Sequence, residues 1–159
     1  MGKKHLLLFG IPGRNFIEFL MKYYPAREGW KLLCAESRPS ETILSERMQE
    51  LSASGYETIL ISDNMVGFCL SKKGVETVFL FYQRVDEECA YCQGGSLLIA
   101  VLAKELGVPC HLYPTEYDPE KAVNTHSLSF AGDTIVPKGV GSFIPEIDKV
   151  PMGYVSQKW

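Results

Sequence analysis

Up to Tyr113, short apolar runs alternate with amphipathic segments, and this alternation predicts β-strands connected by α-helices. The runs at 6–9, 31–35, 58–61, 77–81 and 110–113 are nearly continuous in apolar character. Strands read this way when helices cover both faces of a parallel sheet. Between them, Phe16, Ile17, Leu20, Tyr23 and Tyr24 recur at helical spacing until Pro25 stops the segment. Ile43, Leu44, Met48 and Leu51 line a second helix that Ser40 can cap and Gly55 can end in a left-handed turn. Asp63 can cap a third helix ending near Gly74, and Ser96 a fourth that runs through Leu98, Val101 and Leu102 to Gly107 and Pro109.

The predicted fold class is α/β: a Rossmann-like three-layer domain with a mostly parallel sheet and helices on both faces. Residues 1–159 read as a single domain with its core over 5–113. Beyond Tyr113 the pattern weakens into a segment rich in Pro and Gly. It carries a short strand at 133–136 and a weak closing element at 144–150, and is expected to be an extension packing on the core or on a partner.

Composition narrows the function classes. At 159 residues, 46% hydrophobic and 22% charged, the chain can bury a core without disulfide or metal staples. A net charge of -3 without any basic block argues against direct nucleic-acid binding. The apolar run at 5–9 is too short for a signal sequence or a membrane span, so a cytoplasmic protein without membrane attachment is expected. Five cysteines, an odd number scattered through strands and helices, read as reduced thiols.

Candidate chemistry gathers where strands end. Arg38, in Glu36-Ser37-Arg38-Pro39, can hold a phosphate beside the amides of the helix that follows, or pair with Glu36 at the surface. Asp63 and Asn64 suit a helix cap and a turn, yet Asp63 can also accept sugar hydroxyls and Asn64 can orient a partner loop. Gln83 can hydrogen-bond but cannot transfer a proton, while Arg84 can hold an anion or pair with Asp86. The glycines of Gly94-Gly95-Ser96 let backbone amides approach a ligand or simply form a turn. Cys89 and Cys92 have metal-ligand or redox spacing, with Cys110 and His111 at another strand end; incidental thiols account for the same spacing. Serine-elbow, Walker and paired metal-histidine motifs are missing, and no cofactor is expected.

Several ordered motifs carry a resemblance. Glu36-Ser37-Arg38-Pro39, Ser62-Asp63-Asn64-Met65, Arg84-Val85, Gly95-Ser96 with Ala100-Val101-Leu102-Ala103-Lys104, and Gly107-Val108-Pro109 resemble the C-terminal domain of the initiation factor 2B regulatory-subunit family. That family includes methylthioribose-1-phosphate isomerase and ribose-1,5-bisphosphate isomerase. The resemblance implies a homodimer and a pocket at the sheet edge. It also exposes departures. The isomerases end their fourth strand in Gly-Ala-Asp-Arg with a catalytic Asp, where this chain has Phe81-Tyr82-Gln83-Arg84. Their Asn-Lys pair is replaced by Cys92-Gln93, and their Thr-x-Cys-Asn turn has no counterpart in Phe9-Gly10-Ile11-Pro12-Gly13.

The expected function is therefore a non-catalytic domain that binds a small phosphorylated ligand, a sugar phosphate or nucleotide, or a protein partner in a regulatory role. One alternative is an active aldose-ketose isomerase of a phosphorylated pentose, with Asp63 or Glu36 as base and Cys34 or Cys92 as the second group. The other is a metal or thiol-redox module using Cys89, Cys92, Cys110 and His111.

Overall fold

A computed structural model of the chain describes residues 4–37, 41–72, 74–118, 129–130, 133–134, 136–141 and 147–159. The central strand is β1 (Lys4–Phe9), whose Leu6, Leu7, Leu8 and Phe9 are all buried. Successive side chains point to opposite faces. Leu6 and Leu8 join Phe16, Phe19, Leu20, Leu51, Phe79 and Phe81, whereas Leu7 and Phe9 join Val66, Leu70, Ile99, Ala100 and Ala103. Each buried leucine contributes roughly 2 kcal/mol of transfer free energy. The near-continuous apolar run is thus explained by two separate cores, one on each face.

The helices supply those cores. α1 (Phe16–Tyr23) and α2 (Glu41–Ala53) cover one face, and α3 (Val66–Lys72) and α4 (Ser96–Glu105) cover the other. Around β1 stand β2 (Trp30–Ala35), β3 (Glu57–Ile61), β4 (Val75–Val85), β5 (Cys89–Gln93) and β6 (Cys110–Pro114). Among the described residues the two-residue strands β7 (Ser129–Phe130) and β8 (Asp133–Thr134) pair with each other, and β9 (Ile147–Pro151) and β10 (Gln157–Lys158) return to the main sheet. Among the described residues that sheet has eight strands, with a parallel path β10-β6-β4-β1-β2-β3. This is the expected Rossmann-like three-layer arrangement.

Four local expectations need correction. The 58–61 run belongs to an edge strand, not one buried on both faces: Leu60 is 58% exposed. The third helix begins at Val66, after a 3₁₀ turn over Asp63–Met65 whose flanking Ser62 gives no side-chain cap. The fourth helix is flanked by Gly95, not capped by Ser96, because the chain enters it with Gly95 at φ +98°, which only glycine adopts without strain. The cysteine pair at 89 and 92 is part of strand β5, antiparallel to both β4 and β9. Ser40, the expected cap of α2, lies outside the described residues.

Candidate functional site

From β1 the chain moves outward to β2 and β3, then crosses back to place β4 on the other side of β1. The sheet's switch point therefore lies between β1 and β4, where Rossmann-type folds open a crevice beyond the strand ends. Here β1 stops opposite Leu80, while β4 continues to Val85 and takes β5 as its new antiparallel neighbour. The crevice is filled from within. A Cβ added to Gly10, at φ +98°, would lie 3.5 Å from Phe81 and 3.9 Å from the Gln93 side-chain oxygen.

Ser37 is the centre of that filling. It is fully buried and adopts φ +52°, the left-handed region that costs a non-glycine residue on the order of 1 kcal/mol. Hydrogen bonds hold it there. Its Oγ accepts from the Gly10 amide at 2.8 Å and donates to the Ala35 carbonyl at 3.1 Å. Its own amide donates to Asp63 Oδ1 at 2.8 Å, and its carbonyl accepts from Gln93 Nε2. The Asp63 amide donates in turn to Glu36 Oε1 at 3.3 Å. One serine thus ties the ends of β1, β2, β3 and β5 together.

The residues singled out by sequence distribute around this knot. Glu36 and Asp63 belong to it. Asn64 is exposed and accepts from the Ser62 hydroxyl at 2.6 Å. Gln83 is the bulge residue of β4, between Tyr82 opposite Cys92 and Arg84 opposite Tyr91, and its Nε2 is buried with no acceptor among the described residues. Bulges re-aim a side chain in this way beside many active sites. Arg84 lies on the Tyr91 ring, 3.7 Å from its centroid, with its charge felt by Asp86. Arg38 lies outside the described residues.

Gly95 and Ser96 form the far wall. A Cβ on Gly95 would sit 2.8 Å from the Phe9 ring. The amides of Gly95 and Leu97 donate to Asp148 Oδ2 at 2.7 and 3.1 Å, so a carboxylate from β9 occupies the N-terminus of α4. The Ser96 hydroxyl is buried without a partner among the described residues, and Gly94 precedes it in the turn after β5.

Beside the knot, on the face covered by α1 and α2, an open cleft of about 420 Å³ is lined by Ile11, Arg14, Ile43, Arg47, Glu116, Tyr117 and Asp118. Glu116 accepts from the Arg14 amide at 3.1 and 3.2 Å and from Arg47 Nη2 at 3.1 Å. Sequence reasoning gave no role to Ser37, Gln93, Asp148, Arg14, Arg47 or Glu116. The partners that draw them into the site, Gly10 for Ser37, Gly95 for Asp148 and Glu116 for Arg14 and Arg47, lie far away in the chain.

Three of the buried thiols are not poised for chemistry. Burial pushes Cys34, Cys92 and Cys110 up to about 12, with Cys110 and Asp148 adding to the rise at Cys92. Residues three apart in a strand face opposite sides, and Cys92 is buried where Cys89 is partly exposed. Among the described residues no group of three or more His, Cys, Asp or Glu side chains is gathered for a metal ion. Burial lowers the His111 imidazole pKa, and its Nδ1 has no partner among the described residues.

Fold and edge together define a Rossmann-like α/β domain with a filled switch point and a neighbouring charged cleft. Residues 13–157 match the model of the Initiation factor 2 subunit family, and the chain belongs to that family. It is 27% identical over 138 residues to a methylthioribose-1-phosphate isomerase from Desulforudis audaxviator, covering 76% of this chain and 38% of that one. Among solved structures, the delta subunit of translation initiation factor eIF-2B from A. fulgidus superposes with TM-score 0.75 at 21% identity, covering 99% of this chain and 52% of that one. A 5-methylthioribose 1-phosphate isomerase from Pyrococcus horikoshii OT3 gives TM-score 0.71 at 20% identity, covering 99% and 50%. The chain spans about half the length of these structures and less of the curated relative. Among the described residues no helix is long and apolar enough to cross a membrane.

Proposed function

We propose that this domain binds a small phosphorylated ligand, a sugar phosphate or nucleotide, at the C-terminal edge of its sheet and does not turn it over. The reading is carried by Gln83. An amide stands where the isomerase-like motif would place an acid-base carboxylate, and its buried Nε2 lacks an acceptor among the described residues. A buried donor in that state suits a ligand oxygen. Cys34 and Cys92, held at about 12, are neutral at physiological pH and supply no thiolate for a proton relay. In this reading Arg38 holds the phosphate, with Gly94 and the unpartnered Ser96 hydroxyl at the rim, beside a Gly95 amide already taken by Asp148. Asp63 and Gln83 meet hydroxyls, and Glu36, Asn64 and Arg84 frame the edge.

The domain acts in a regulatory role as a cytoplasmic homodimer. Exposed Phe68 on α3, with Leu97, Leu98 and Val101 on the adjacent α4, supports an apolar contact face. Of the extension beyond Tyr113, the described strands β9 and β10 pack on the core, against β5 and β6. Mass spectrometry of small molecules retained by the native protein tests the ligand class. Arg38→Ala abolishes thermal stabilisation by ribose 5-phosphate if the assignment is right, and an unchanged response overturns it. The isomerase-named relative favours a second reading, phosphorylated-pentose isomerisation. Turnover of methylthioribose-1-phosphate would establish that reading and remove the non-catalytic one.

A further inference from the structure

We propose that Glu116 is an internal placeholder in an anion site built by Arg14 and Arg47, and that a phosphate monoester displaces it. The inference rests on the binding of phosphorylated small molecules argued above, and deepens it by naming a second set of phosphate contacts and a built-in competitor for them.

The Glu116 carboxylate is held as a bound anion would be. Both of its oxygens accept from the Arg14 backbone amide, at 3.1 and 3.2 Å. Arg14 Nε stands 3.6 Å away and Arg47 Nη2 donates at 3.1 Å. The loop geometry is fitted to this contact. A Cβ on Gly13 would lie 2.8 Å from the Pro114 carbonyl oxygen and 2.9 Å from Glu116 Oε2, so a glycine is what lets the two loops close together.

Arg47 is positioned independently of Glu116. Its Nη1 donates to Glu50 at 2.9 Å, its side chain is only 18% exposed, and its Nε is buried with no partner among the described residues. When Glu116 leaves, the guanidinium keeps its place and presents Nη2 to the cleft. Glu116 is the exchangeable partner: its side chain is 51% exposed and that of Arg14 is 80% exposed. A phosphate monoester carries more charge than a carboxylate and three acceptor oxygens, enough to meet the Arg14 amide and both guanidinium groups at once. The cleft of about 420 Å³, walled by Ile11, Ile43 and Tyr117, leaves room for the organic part of such a ligand.

Calorimetric titration with inorganic phosphate and with ribose 5-phosphate tests the proposal on the full chain. Glu116→Gln should tighten binding about tenfold, a change of about 1.4 kcal/mol. Arg47→Ala placed in the Glu116→Gln background should abolish the gain, and Arg14→Ala should reduce it if Arg47→Ala fails to fold. Glu57→Gln removes an equal charge beside Lys31 on the edge strand and should leave binding unchanged. Equal affinity in Glu116→Gln and the unaltered chain overturns the proposal, as does equal tightening by Glu57→Gln or an absence of binding in every variant. A neutral Glu116→Gln alongside loss of binding in Arg38→Ala leaves the function standing and removes the placeholder. Tightening by Glu116→Gln with no effect of Arg38→Ala does the reverse.

Discussion

The buried knot at Ser37 and the open cleft at Glu116 use the same device, a side-chain oxygen accepting from a backbone amide of the loop after β1. At Ser37 the contact is buried and the acceptor neutral; at Glu116 it is exposed and the acceptor charged. Asp148 on the Gly95 amide is the partly buried intermediate. An unpaired donor that water can reach costs little, whereas a sealed one carries its full desolvation cost. The knot is therefore built for permanence and the cleft for exchange, although the two lie on one short loop.

The largest effect tests the wall that seals the knot. Gly95→Ala puts a Cβ 2.8 Å from the Phe9 ring and forces alanine to φ +98°. Backbone strain and overpacking together should cost about 3 kcal/mol, read from urea denaturation. Ser37→Ala comes next. It strips the acceptor from the buried Gly10 amide while leaving φ +52° in place, and should cost about 2 kcal/mol. A loss below about 0.5 kcal/mol would mean that water reaches the Gly10 amide and would break the comparison at its buried end. Asp148→Ala should cost less than either, about 1 kcal/mol, the usual value of a helix cap.

The ease of reading the sequence follows the same division. β1, β2, β4 and β6 were legible because burial on both faces makes an apolar run nearly continuous. β3 was found for the same reason, but its edge position was not, since Leu60 reads the same whether covered or exposed. β5 was hidden because Cys89 and Cys92 drew attention as a thiol pair. Only their antiparallel pairing, with Asp148 opposite Cys92, makes them a strand. At the site, Glu36 and Asp63 stood out as strand-end carboxylates. Ser37 belongs to the motif Glu36-Ser37-Arg38-Pro39, but its role is not legible there, because it lies in contacts with Gly10 and Gln93 made across the sheet. The Ser96 cap was a reasonable local reading that a distant carboxylate pre-empted.

His111 supplies a buried polar atom with no partner to set beside these paired ones. Its imidazole pKa is lowered by burial, so the unfolded chain takes up a proton more readily than the folded one. The sign follows by linkage: stability is full above the ordinary histidine range and falls as pH drops through about 6.5 towards the lower folded value. The melting temperature should decline between neutral and mildly acidic pH. His111→Gln, which cannot take up the proton, should flatten that part of the profile. An unchanged slope would assign the acid sensitivity to carboxylates instead.

The smallest effect is the most telling. Glu116→Gln removes the pairs that a half-exposed carboxylate makes with Arg14, 80% exposed, and with Arg47, 18% exposed and still paired with Glu50, so its cost to folding should be about 0.5 kcal/mol or less. The amide oxygen of glutamine can still accept from the Arg14 backbone, which keeps the loops in place. A contact that costs folding almost nothing to weaken is one that a ligand can displace, so near-neutral stability in Glu116→Gln is the thermodynamic counterpart of exchange. If its loss in urea denaturation instead matched that of Ser37→Ala, the cleft would be as permanent as the knot, and the difference between the two regions would disappear.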